Sequence, residues 1–174
     1  MRAETLWAMK TPELARLLRE GGSVDPKALS GSNYRGVSLG LPRIVERLTW
    51  KTFRKSFHTD ADGSVSGFNV RLMQDGLTAP SRPRQRDGKD FVFGPFAIDA
   101  LPEDGTPFGC KRGVVFNYGK RHSRYHPIGM TRDVVVALDD RCDVLLGALY
   151  IELGQTQIRT PSYFTLERDT AVER

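Results

Sequence analysis

The stretch from Asp143 to Arg168 constrains the fold more than any other part of the chain. It reads as two long strands joined by a polar turn. In the first, Leu145, Gly147, Leu149, Ile151 and Leu153 alternate with Leu146, Ala148, Tyr150 and Glu152. In the second, Tyr163, Thr165 and Glu167 alternate with Phe164, Leu166 and Arg168. Successive side chains of a strand point to opposite faces, so each ribbon carries a core face and a second face. Gly154-Gln155-Thr156-Gln157 supplies the turn. Pro161 lacks an N–H and fits the start or an edge of the returning strand.

Most earlier apolar runs have strand length and the same period. Phe68, Val70 and Leu72 alternate with Asn69, Arg71 and Met73, after an Asp60-Ala61-Asp62-Gly63 hairpin turn. Phe91 to Ile98 is a strand bent at Gly94-Pro95. Val114, Phe116 and Tyr118 mark another, and Val134, Val136 and Leu138 a further one. Residues 74–90 carry Gly76, Pro80, Pro83 and Gly88 among three arginines and read as a mobile loop. Residues 99–109 and 119–131 read as further loops. No helices alternate with the strands. The pattern predicts a mainly β fold, an antiparallel meander closing into a barrel of about eight to ten strands.

The N-terminus differs. Residues 3–20 read as helical, with Thr11 as cap, Pro12 in the first turn and a Leu14, Leu17, Leu18 stripe; Gly21-Gly22 ends the pattern. This helix is expected to lie across the end of the barrel. Ser23 to Ser32 reads as a linker. A short helix is expected from Leu41 through Leu48, reaching about residue 50, followed by an aromatic strand that carries Phe53 and Phe57. The domain division is therefore a helical segment over 1–22 and a single β-barrel domain over 23–174.

A chain of 174 residues is long enough for one domain with a real core. The apolar fraction of 39% and mean hydropathy of −0.39 suit polar loops or a partly polar interior. No apolar run approaches the ~20 residues of a membrane-spanning helix. Glu4, Lys10, Glu13 and Arg16 interrupt any signal-peptide core, so a cytoplasmic location is the default expectation. Cys110 and Cys142 are outside any metal-like spacing and are expected to be free thiols.

The net charge of +5 is spread over Arg82, Arg84 and Arg86, over Lys111 and Arg112, and over Lys120, Arg121, Arg124 and Arg132. Such groups bind anions or nucleic acid, or simply sit in solvent. His122 and His126 share a loop with Arg121, Arg124 and Tyr125. Gly119, Pro127 and Gly129 argue against the helix a metal pair would need; an anion site is a better reading than a metal pair, an exposed basic loop is the simplest reading, and neither metal nor cofactor is expected. Asn69 and Arg71 share a face opposite Phe68 and Val70; the simplest assignment puts them in solvent, and the other puts them in a polar cavity. No nucleophile elbow, dinucleotide fingerprint or phosphate loop is present.

Gly31, Tyr34 and Gly36 after an N-terminal helix, with Arg168 late in the chain, resemble the calycin group, the lipocalins and fatty-acid-binding proteins. In that group an opening Gly-x-Trp-type element lies under a basic residue from a late strand. Here the aromatic is Tyr34, and it stands one residue further from Gly31. The resemblance implies a barrel that binds a small hydrophobic or amphipathic ligand. It also implies contact between Tyr34 and Arg168. The ligand-binding candidates are Tyr34, Arg71, Tyr118, His122 and Arg168. An alternative is a small enzyme, an isomerase or hydrolase, using His58, Arg71, Tyr118 and His122. A less favoured one is a basic nucleic-acid-binding module.

Overall fold

The computed structural model describes residues 2–40, 51–123 and 126–169. The helix expected from Leu41 to Leu48 lies outside them, as do Trp50, Arg124 and Tyr125. A 3-10 turn at Ala3–Leu6 precedes α1 (Thr11–Glu20), and α2 is the single turn Pro26–Leu29. The strands are β1 (Asn33–Leu39), β2 (Thr52–Thr59), β3 (Val65–Arg71), β4 (Gln85–Arg86), β5 (Lys89–Asp90), β6 (Val92–Ala100), β7 (Val114–Asn117), β8 (Thr131–Ala137), β9 (Val144–Leu153) and β10 (Thr156–Arg168).

Eight strands close into an antiparallel barrel in the order β1-β10-β9-β8-β7-β6-β3-β2, while β4 and β5 form a separate two-stranded ribbon. Each barrel strand therefore pairs with its neighbours along the chain, and closure joins first to last. Tyr34 is in register with Arg168, and Leu39 with Tyr163. The closing hairpin is β9–β10, and its turn is tighter than expected: Thr156 already pairs with Leu153. Pro161 lies within β10, at an irregularity between Arg159 and Tyr163 that absorbs its missing donor.

The interior is shaped by glycines opposite aromatic rings. Gly36 is in register with Phe53, Gly67 with Phe96, and Gly147 with Phe164. A Cβ at these glycines would lie 2.3, 2.7 and 2.2 Å from the facing ring. Each ring thus lies flat over the backbone of its neighbour, and any larger residue there would displace it. This lets a narrow eight-stranded barrel hold several inward aromatics.

One wall of the barrel is buried on both sides. Val135, Ala137, Leu145, Phe164 and Leu166 face inward. Val134, Val136, Leu146, Ala148 and Tyr163 face outward, under Leu6, Leu14, Ala15 and Leu18. The N-terminal segment therefore packs against the outer wall, not across the barrel's end. Its apolar stripe needs a broad apolar surface, and the outward residues of β8, β9 and β10 provide one. Trp7 Nε1 donates to Thr165 Oγ1 at 3.2 Å, pinning the leading turn to β10. Helix α1 begins one residue earlier than a Thr11 cap requires. The Lys10 N–H donates to the Glu13 carboxylate at 2.8 Å, which satisfies an otherwise free helix-end donor.

Residues 23–32, expected as a linker, instead stopper one end of the barrel. Asp25 accepts from the Lys27 N–H and caps α2, and Val24 and Leu29 join the interior cluster. Chain direction puts the start of β1, the end of β2, the start of β9 and the end of β10 at this closed end. The opposite end carries Leu39, Thr52, Arg71, Asn117, Thr131 and Thr156. The 72–91 connection leaves from it and is tied back by Arg35, which donates to the carbonyl of Gly76 at 2.9 Å and that of Leu77 at 3.2 Å. Among the described residues no helix is long and apolar enough to cross a membrane.

Candidate functional site

The barrel's lower half is solid. Tyr34 meets Phe57 edge-on with centroids 5.5 Å apart, Phe57 meets Phe116 edge-on at 5.5 Å, and Phe96 stacks on Phe116 at 4.7 Å. At the bottom, the Tyr34 hydroxyl donates to the Cys142 carbonyl at 2.7 Å. Burial pushes this phenol far above its ordinary range. The Arg168 guanidinium lies 4.9 Å from the Tyr34 ring centre. It also donates to Asp143 Oδ1 at 3.0 Å, to the Ala28 carbonyl at 2.9 Å and to Ser32 Oγ. The contact implied by the calycin resemblance is therefore present, and it fastens first strand, last strand and stopper together.

On top of the aromatic stack sits a charge. Lys55 is inward on β2 between Phe53 and Phe57, and it is 2% exposed. Its Nζ donates to Asn69 Oδ1 at 2.9 Å, to the Tyr118 hydroxyl at 2.7 Å and to Asp133 Oδ2 at 3.1 Å, which uses all three ammonium hydrogens. The Tyr118 hydroxyl donates in turn to Asp133 Oδ2 at 2.8 Å. Asn69 Nδ2 donates to the Gly94 carbonyl at 2.9 Å. Gly94 has φ +53°, and a Cβ there would lie 2.9 Å from Asn69 Nδ2, so the bend and the close approach both need glycine. Nζ also lies 4.7 Å from the ring centre of Phe96, 5.3 Å from Tyr118, 5.4 Å from Phe116 and Phe164, and 5.6 Å from Phe53. Negative ring faces thus surround the cation.

Burial pulls the Lys55 ammonium below the ordinary lysine range, and the nearby Asp133 charge works against that shift. Burial, and then Asp133, push the Tyr118 phenol well above its ordinary value. The geometry matches a Lys55 ammonium that donates to three acceptors and a Tyr118 hydroxyl that donates to the Asp133 carboxylate.

Above this floor the barrel is hollow. A cavity of about 240 Å³ opens at the end opposite the stopper. Phe53, Phe93, Ile128, Leu149 and Phe164 form its apolar walls, Ser38, Thr131 and Ser162 add hydroxyls, and Lys55, Asn69, Tyr118 and Asp133 lie beneath. Larger surface concavities of about 550 and 780 Å³ lie elsewhere. Their charged side chains, such as Asp139, Asp143 and Arg168, are engaged with one another or with backbone. The smaller cavity sits over a buried titratable network of described residues, and it is the candidate site.

Of the expected site residues, Tyr118 lies in this network. Tyr34 and Arg168 meet each other, at the closed end. The Arg71 guanidinium lies 5.8 Å from the Phe91 ring centre, outside the cavity lining. His122 Nδ1 lies 2.8 Å from the Tyr118 carbonyl oxygen and 4.9 Å, ring to ring, from His126, again outside it. His58 is an outward residue of β2. Its Nε2 meets both Ser66 Oγ at 3.1 Å and Asp60 Oδ1 at 3.3 Å. A relay needs the carboxylate on the other ring nitrogen, so this is no nucleophile-activating triad.

Asn69 corrects its simplest assignment: it points inward and is 4% exposed. Lys55 and Asp133 were not expected at all. Both had a signal: Lys55 falls in phase between two inward phenylalanines, and Asp133 alternates with Val134 and Val136. The basic groups are neutralised in part, with Arg82 on Asp75, Lys120 on Asp99, Arg121 on Asp60 and Arg132 on Glu152. Cys110 and Cys142 are buried free thiols. The chain matches no protein-family model and no curated protein.

Proposed function

We propose that this protein binds a small, mainly apolar molecule bearing one polar group, in the open end of the barrel. The supporting observation is the cavity of about 240 Å³, with apolar walls and a buried Lys55–Asp133–Tyr118–Asn69 floor. An apolar pocket with a few convergent polar groups is the usual form of a ligand site. The volume sets the size. It equals that of roughly eight liquid waters, so a ligand of about eight to ten non-hydrogen atoms fits and a long fatty acid does not. The eight-stranded meander and the Tyr34–Arg168 contact also support a calycin-like reading, with a smaller ligand than that group's name suggests.

Titration calorimetry of the whole protein tests this, with benzyl alcohol as the small ligand and palmitate as the long one. Benzyl alcohol is expected to bind once per chain with a negative heat-capacity change, and palmitate not to enter. Leu149→Trp places a ring in the cavity and is expected to abolish binding. Absence of saturable binding, or binding unchanged by Leu149→Trp, overturns the proposal.

A further inference from the structure

We propose that Lys55 captures carbonyl compounds: its amine condenses with a small apolar aldehyde or ketone in the open-end cavity to form an imine. The inference rests on the ligand reading above and names the ligand's class. Stability alone does not call for this lysine. A buried ion pair is commonly replaceable by apolar residues with no loss, so Lys55 and Asp133 need another reason to occupy the middle of a barrel.

The geometry supplies what the condensation needs. The nitrogen lies at the floor of an apolar cavity whose size matches a small carbonyl compound. A carboxylate oxygen stands 3.1 Å from it, close enough to take its proton. A hydroxyl bridges the two, 2.7 Å from Nζ and 2.8 Å from Asp133 Oδ2, as a proton relay.

The steps balance without any further reactant. The ammonium gives a proton to Asp133, and the freed lone pair adds to the carbonyl carbon. The carbonyl oxygen receives one of the amine's protons through the Tyr118 hydroxyl, giving a neutral carbinolamine. Asp133 then returns its proton to that hydroxyl, which leaves as water while the nitrogen lone pair forms the C=N bond. The product is a protonated imine beside an ionised Asp133. One positive and one negative charge are present before and after, and the five rings around Nζ face a cation in both states. Apolar walls slow the return attack of water. Burial also favours the free amine, the form that attacks.

The test uses the full chain at pH 7 with benzaldehyde and sodium cyanoborohydride, read by intact mass and peptide mapping. Six other lysines serve as internal controls. The expected result is reductive labelling at Lys55 about tenfold faster than at any of them, as for an activated amine, and suppressed by benzyl alcohol. Lys55→Met should lose this label, and its thermal melt reports whether it folds. Leu149→Trp keeps the lysine and its partners, blocks the cavity, and should lose the label while surface labelling persists. If benzyl alcohol binds in calorimetry but Lys55 labels no faster than surface lysines, the imine inference falls and the cavity reading stands. If neither occurs, both fall. Labelling of Lys55 that survives Leu149→Trp also overturns the inference.

Discussion

The two ends of the barrel are built from the same strands and differ in what fills them. At the closed end Tyr34, Phe57, Phe96 and Phe116 pack ring on ring, and Arg168 locks the seam. Toward the open end the ring-on-ring stack gives way to a buried ion pair, and about 240 Å³ is left empty above it, with Phe53, Phe93 and Phe164 in the walls. The difference teaches where stability and function separate. Aromatic packing and the seam contribute to the fold, whereas a cavity and a desolvated charge pair are not what stability alone selects, and the proposed ligand would account for them.

The sharpest way to break this comparison is to unpair the charge. Asp133→Ala leaves Lys55 buried without its counter-ion and should cost about 3–5 kcal/mol, read from denaturant midpoints. The double change Lys55→Met, Asp133→Leu should recover most of that. A single-mutant cost below about 1 kcal/mol would mean that the pair is well hydrated and the floor is not dry.

Packing separates the ends next. Phe116→Ala in the stack should cost about 3–5 kcal/mol, and Leu146→Ala under α1 about 2–5 kcal/mol. Leu149→Ala should cost about 1 kcal/mol, because that side chain already borders empty space and loses less on removal. Equal losses for Leu146 and Leu149 would show that the open end is filled.

The seam gives a smaller effect. In a double-mutant cycle, Tyr34→Ala and Arg168→Ala should couple by about 0.5–2 kcal/mol, the worth of a guanidinium on a ring. Strict additivity would show that Arg168 acts only through Asp143, Ser32 and Ala28.

The pH dependence is the smallest effect and separates the ends again. Lys55 holds its proton less tightly folded than unfolded. Its contribution to stability therefore grows as pH rises toward the ordinary lysine value of 10.5, and shrinks as pH falls through the folded value. Tyr34 and Tyr118 have raised values and act in the opposite sense, losing stability only above the ordinary tyrosine value of 10.0. Below pH 10, then, the stability of the wild type relative to Lys55→Met should rise with pH. A flat difference would show that Lys55 titrates as an exposed lysine.

The barrel was legible because strand period, turn residues and the closing hairpin all act locally. The Tyr34–Arg168 contact followed from a resemblance and from closure. The direction of each face was less legible. Val134 and Val136 satisfy a core pattern, yet they face out, because α1 buries the outer wall too. With both faces apolar, alternation no longer says which side is inside. The site was hidden for the same reason. Lys55 and Asn69 face each other across one hairpin, but Asp133 comes from a strand far along the chain, and a polar residue on a strand reads first as solvent-facing. Tyr118 was singled out beforehand on its loop-flanking position and not on the network it joins, and Asn69 only through the less simple of its two assignments.

The most direct test of a hollow end over a charged floor is to see where a small probe goes. Methyl resonances of the whole protein, followed by two-dimensional NMR during titration with benzyl alcohol, report this residue by residue. The account predicts saturable shifts at Leu149, Ile128 and Thr131, with none at Leu29 and Val65 in the closed end. Shifts confined to the closed end, or no saturable shift at the open one, would contradict it.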